Sequence, residues 1–325
     1  MDSSQTTQSG RPSPRVYSLL LLLVASLLGV SCSNQTTVPA TSTHTSFLNT
    51  SDGKRLPLRH WNLQSDPQTI LIGLHGIEGA ARDFGNLGKS LSQQSPTTTL
   101  YALNLRGSGY DPSPQDRGNI KSPALWQRDL LELHQQLKKR HPKARTIWIG
   151  ESMGALITLH TVVNSSTPPD GLVLVSPVVS LDTIPAWQII SLRLAAFLAP
   201  GARISLEALA GGSFQATTKS NHFDQSQTNP YHVERYTLRY LATLAKLSQT
   251  MTQQATKAEL PVLVLHGGKD FLSNDLQIQE FTNAFARSPK RHKFQSSHHL
   301  LFYDKQKKEV ISSILNWEGL YSQLR

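Results

Sequence analysis

From residue 69 onward, short apolar runs alternate with polar stretches that carry apolar residues at helical spacing. Residues 69–74 (TILIGL), 98–105, 146–149 (TIWI), 172–175 (LVLV), 261–265 (PVLVL) and 291–295 predict strands, and the first five are largely apolar, as strands buried on both faces are. Between them, 83–94, 122–140, 155–163, 275–285 and 305–317 predict helices. In 122–140, Leu125, Leu130, Leu133 and Leu137 recur at spacings of three to five, Pro123 suits the first turn and Pro142 ends the helix. Ahead of this series, 47–63 reads as a hairpin around Asp52-Gly53. Strand–helix alternation predicts a parallel sheet covered by helices on both faces, an α/β fold. The alternation breaks over 177–257, where apolar helical stretches (186–198, 236–247) flank a polar middle (211–229). That stretch predicts an inserted lid over the strand ends, leaving 47–176 and 258–325 as the core.

The N-terminus follows a different pattern. Residues 1–15 are polar with Arg11 and Arg15 the only basic groups, and 16–30 are apolar apart from Tyr17, Ser18 and Ser26. A helix of that length spans about 22 Å, short of the ~30 Å hydrocarbon core, so the segment reads as a secretory signal over 1–31. Cys32 follows Gly29-Val30-Ser31, and residues 33–46 are rich in Ser, Thr and Asn, as a flexible tether is. This arrangement resembles the bacterial lipoprotein cleavage site, in which the Cys becomes the lipid-bearing first residue. Gly29 departs from the usual Leu. The expectation is an extracytoplasmic protein held at a membrane through Cys32, with an uncleaved anchor or plain secretion as alternatives.

Composition narrows the chemistry. Apolar residues make up 38% of the chain, the level of a globular protein, and the single Cys excludes an internal disulfide or a cysteine-built zinc site. The net charge of +10 favours anionic surroundings. Its densest runs, 138–140 and 305–308, fall at a predicted helix end and on a predicted helix face, and no nucleic-acid module is recognisable.

The reactive side chains gather where the predicted strands end, the place at which open parallel sheets bind their ligands. Strand 146–149 runs into Gly150-Glu151-Ser152-Met153-Gly154, a G-x-S-x-G stretch followed at once by a helix. That context puts Ser152 on a sharp strand-to-helix turn with its hydroxyl exposed and the helix N-terminus facing developing negative charge. A serine needs a base, and the base an orienting acid. Asp270 follows strand 261–265 through His266-Gly267-Gly268-Lys269, with Asp275 in reserve. The base lies in Ser296-Ser297-His298-His299-Leu300-Leu301, where the order of residues fits either histidine and His298 is preferred. The oxyanion donors expected are the backbone N–H groups of Met153 and of Ile77, in the loop His75-Gly76-Ile77. His75 and the lid residues Trp187 and Phe197 are the candidate substrate contacts, and the lid stretch 187–198 reads as an acyl-chain lining, a membrane contact or ordinary packing.

These stretches together resemble the monoacylglycerol lipase/lysophospholipase branch of the α/β-hydrolases, also called serine aminopeptidase-like. The resemblance covers about residues 47–320 and rests on the Asp-Gly hairpin, LHGIEG, LNLRGSG, GESMG, VLHGGKD and HHLL followed by Asp304. It implies an α/β-hydrolase fold and a Ser152–His298–Asp270 triad, because the family's His-Glu-Leu-Leu pattern carries the catalytic His first. The family's D-x-R-G-x-G-x-S stretch has Asn104 and Asp111 here at its Asp and Ser positions. The chemistry implied is hydrolysis of a lipid or small carboxylic ester with no metal and no cofactor: no G-x-G-x-x-G loop or H-E-x-x-H pair occurs. No nucleic acid or obligate protein partner is expected. A short-chain esterase, an amidase, an acyltransferase and a non-catalytic envelope-binding lipoprotein are the alternatives.

Overall fold

The computed structural model describes residues 46–182, 184–206, 208, 217, 231–317 and 320. These fall in the unit Val38–Arg325; the unit before it, Met1–Thr37, lies outside them, and with it the predicted signal segment and Cys32. The tether up to residue 45 and nearly all of the polar lid stretch 211–229 are likewise outside the described residues.

Eight strands form one sheet: β1 (Ser46–Asn49), β2 (Arg55–Trp61), β3 (Thr69–Leu74), β4 (Thr98–Leu103), β5 (Arg145–Glu151), β6 (Gly171–Val175), β9 (Val262–Gly267) and β10 (Lys290–Phe294), in the order β1-β2-β4-β3-β5-β6-β9-β10. The first hairpin is antiparallel to its neighbours, and the remaining pairs are parallel. The hairpin turns through residues 50–54, because Asn49 pairs with Arg55, and Gly53 takes the positive φ of 82° that the turn demands. Alternate side chains feed two cores. Ile70, Ile72, Leu74 and Trp148 pack on one face, with Trp126, Leu130, Leu133 and Leu137 of α2 (Pro123–Arg140) and with α3 (Met153–Val162). Leu71, Ile147, Ile149, Val173 and Leu263 pack on the other, with α1 (Gly85–Gln94) and α8 (Lys307–Leu315). Full burial of one such Leu or Ile stabilises the fold by about 1.5–3 kcal/mol.

The insertion carries α4 (Ala186–Leu198), the short pair β7 (Arg203–Ile204) and β8 (Tyr236–Thr237), α5 (Leu238–Gln249) and α6 (Met251–Ala255), before α7 (Asp275–Asn283) resumes the core. The helix expected over 236–247 begins two residues later. Tyr236 and Thr237 pair with β7, and the Thr237 hydroxyl caps α5 by accepting from the Tyr240 N–H. Tyr240, Leu241, Met251 and Ala255 join the main core, so the C-terminal part of the insertion completes the hydrophobic interior.

Candidate active site

The site is built at the ends of β5, β6, β9 and β10. Ser152 sits between β5 and α3 with φ 51° and ψ −111°, a conformation unfavourable for a residue with a Cβ. Its neighbours make the turn feasible. A Cβ on Gly150 would overlap the Gly154 carbonyl oxygen, and one on Gly154 would overlap the Leu74 carbonyl oxygen, so backbone crosses backbone on both sides of the serine. The Ser152 N–H donates to the Val175 carbonyl at 2.9 Å, which ties the turn to the end of β6.

His299 lies between the serine and an acid. Its Nδ1 is 2.8 Å from Asp270 Oδ2, and its Nε2 is 2.8 Å from Ser152 Oγ. With the Nδ1 proton held by the carboxylate, Nε2 presents a lone pair to the serine hydroxyl. The other Asp270 oxygen accepts from the Leu272 N–H at 2.9 Å, which fixes the carboxyl plane. All three residues are buried, and so is Ser176, whose hydroxyl donates to the His299 carbonyl at 2.6 Å. Ser176 follows β6 directly, with a positive φ of 46°.

This corrects the choice of base: the structure places His299, not His298, in line with Ser152 and Asp270. The reason is local. Asp304 accepts from the His298 N–H at 2.6 Å and lies 3.2 Å from the His298 ring Nδ1, which ties that ring to Asp304. With its neighbour held this way and its own carbonyl held by Ser176, His299 points into the site. Asp275, the reserve acid, lies instead beside His266, Arg291 and Lys293.

His75 does not face a substrate. It is fully buried, its Nδ1 lies 2.7 Å from the Gly76 carbonyl, and its Nε2 accepts from the Leu105 N–H at 3.1 Å. That donor makes Nε2 the acceptor, so Nδ1 carries the proton, and burial lowers the pKa and keeps the ring neutral. His75 therefore pins the loop that bears Ile77 to the loop after β4. The result brings Gly76 against Ser152, where a Cβ would sit 3.2 Å from Ser152 Cβ and 3.8 Å from Oγ. Ile77 packs half-buried on the main core beside this contact, and Met153 opens α3 directly after the serine. The sequence reading missed Tyr240, whose hydroxyl donates to Met153 Sδ at 3.0 Å from α5 and stands edge-on to Trp126. Trp187 and Phe197 lie on α4 and are 52% and 82% exposed. Among the described residues, no group of three or more His, Cys, Asp or Glu is placed to hold a metal ion.

A family model described as serine aminopeptidase, S33, matches residues 65–306. The chain is 21% identical over 273 residues to the monoglyceride lipase of Rattus norvegicus, covering 82% of this chain and 86% of that protein. It is 23% identical over 273 residues to the monoacylglycerol lipase of Mycolicibacterium smegmatis, covering 82% and 93%. Among solved structures, a soluble variant of the Saccharomyces cerevisiae monoglyceride lipase, in complex with a substrate analogue, superposes with a TM-score of 0.73 at 16% identity, covering 88% of this chain and 98% of that one.

Proposed function

The chain belongs to the serine aminopeptidase S33 family and is a serine hydrolase of the α/β-hydrolase fold, and on that premise we propose that it cleaves the ester of a single-chain acyl lipid, a monoacylglycerol or a lysophospholipid, through an acyl-Ser152 intermediate. The observation that carries the mechanism is the continuous line Asp270–His299–Ser152, with 2.8 Å at each step. In this reading His299 Nε2 takes the hydroxyl proton as Oγ attacks the ester carbonyl, and Asp270 stabilises the imidazolium. The oxyanion is received by the Met153 and Ile77 amides. The alcohol leaves with the proton from His299, and water, activated by the same ring, releases the fatty acid. Burial, and then the charge of Asp83, push the Glu151 carboxyl well above its usual range, so no anion opposes the developing oxyanion from the preceding residue.

The substrate class rests on the names of the relatives and on the outward apolar face of α4. The test is fluorophosphonate labelling together with turnover of monoacylglycerols and lysophosphatidylcholine of graded chain length. We expect Ser152→Ala and His299→Ala to lose labelling and at least ~10³-fold in kcat, while His298→Ala stays within a few-fold of wild type. Equal loss in both histidine variants would overturn the assignment of the base. Turnover of aminoacyl anilides with none of the lipids would move the substrate to amides.

We also propose that Cys32 bears the lipid of a bacterial lipoprotein and holds the enzyme at a membrane outside the cytoplasm; the support is the sequence of residues 16–32. An alkyne-tagged palmitate should label the full chain in a bacterial host and should fail to label Cys32→Ser. Labelling of both would exclude Cys32 as the attachment point.

A further inference from the structure

Behind the nucleophile, a buried bridge joins the loop that carries Ile77 to the loop that carries His299. Asp83 sits in the short 3-10 turn Ala81–Phe84 and is almost wholly buried. Its Oδ2 accepts from the Ala80 N–H at 2.8 Å and lies so close to Gly79 that a Cβ there would come within 2.6 Å of it. Its Oδ1 accepts from the Tyr303 hydroxyl at 2.6 Å. Tyr303 belongs to the tight turn that follows His299, in which the Leu301 N–H donates to the His299 carbonyl and the Tyr303 N–H to the Leu300 carbonyl, both at 3.1 Å. Two further contacts join the same segments: Asn86 Nδ2 donates to the Phe302 carbonyl at 3.0 Å, and the Phe84 and Phe302 rings meet at 5.4 Å.

We propose that Tyr303 and Asp83 are a positioning pair, which registers the oxyanion-side loop 76–80 to the base-bearing loop 299–303 and so sets the rate of acyl transfer. The inference rests on the reading of Ser152 as nucleophile and His299 as base. Geometry motivates it. The loop 76–80 touches Ser152 at Gly76, while its far end is held by one carboxyl whose second oxygen reaches across to the turn beside His299. The oxyanion donor and the base belong to segments more than 200 residues apart in sequence, and they must keep a fixed separation as charge develops. Burial, reinforced by the neighbouring Asp83, holds the Tyr303 phenol far above its usual range, so it remains a donor at every working pH. The hydrogen bonds of the pair described above run to Ala80 and between the two side chains, not to Ser152, His299 or Asp270.

The experiment uses the full chain with Tyr303→Phe, which removes one oxygen, with Asp83→Asn, which keeps the shape of the carboxyl, and with the double variant. Ser152→Ala runs alongside. On p-nitrophenyl butyrate, Tyr303→Phe should lower kcat about ten-fold with KM within two-fold, since a small misplacement of a donor is felt in the transition state. Affinity for a trifluoromethyl ketone, whose hemiketal oxyanion occupies the donor site, should fall in parallel, while affinity for an ether isostere of the substrate should not. The double variant should be no slower than the slower single variant. Unchanged kcat in Tyr303→Phe, a rise in KM at constant kcat, or independent multiplying losses would each overturn the inference while leaving an active, Ser152-dependent hydrolase. If Ser152→Ala keeps wild-type turnover, the nucleophile assignment fails, and the positioning role fails with it.

Discussion

Glu151 immediately precedes Ser152, almost wholly buried, and its Oε1 has no hydrogen-bond partner among the described residues. Such a carboxyl is stable there only with its proton on. The linkage follows from the direction of the shift. The unfolded chain loses this proton near the ordinary value of 4.5, the folded protein only well above it. Folding stability contributed by the protonated group is therefore complete below that value and declines as pH rises toward the folded pKa, by up to ~1.4 kcal/mol per pH unit. Glu151→Gln removes the titration and keeps the shape. We expect the thermal midpoint of the variant, relative to wild type, to climb as pH rises above 4.5. A constant offset across that range would mean that Glu151 is ionised in the native state. The neighbouring histidines teach a related lesson at single residues. Their order relative to Ser152 and Asp270 is identical, and only a local contact, the capture of His298 by Asp304, separates them. The Asp was visible in the sequence, but the histidine it would hold was not.

At the scale of elements, the regular parts were the legible ones. The runs at 69–74, 146–149 and 172–175 are apolar at nearly every position because both faces of the sheet are covered, and the strands form there within one or two residues. The elbow was equally legible, since only glycines tolerate the backbone crossings at 150 and 154. What escaped was the wiring between loops. Arg106, at the end of the fourth strand segment, donates to Asp129 on α2 and to Asp52 in the first hairpin turn, at 2.6–2.9 Å. Those partners are separated from it by tens of residues, and no periodicity announces them. Their electrostatics differ with burial. The Arg106 hydrogen bonds hold the Asp52 carboxyl far below its usual range, whereas burial outweighs the same guanidinium at Asp129 and raises it to about 6. His75 belongs to the same class: its place before a glycine at a strand end gave a site residue, and only the fold shows both ring nitrogens committed to backbone.

On the scale of the whole molecule, the enzyme presents a buried reaction centre and an apolar surface that no described residue covers. Trp187, Ile190, Leu194, Phe197 and Leu198 follow one another at intervals of three, four, three and one along α4, and each is more than half exposed. The opposite side of the helix turns Ile189 and Leu192 inward. Arg193 of α4 and Arg239 and Lys246 of α5 border the same surface around Phe197, so cations rim the apolar stripe. No helix among the described residues is long and apolar enough to cross a membrane, and an exposed apolar stripe of this size is the kind of surface on which a protein, ligand or lipid contact is tested. Each large apolar side chain moved from water into lipid contributes about 1.5–3 kcal/mol. Replacing Ile190 and Phe197 together by Ser should therefore weaken productive engagement of aggregated long-chain monoacylglycerol by at least ten-fold, read as a higher apparent KM, while hydrolysis of soluble p-nitrophenyl acetate stays unchanged. Loss of both activities together would assign the stripe to the stability of the insertion, and loss of neither would remove it from substrate delivery.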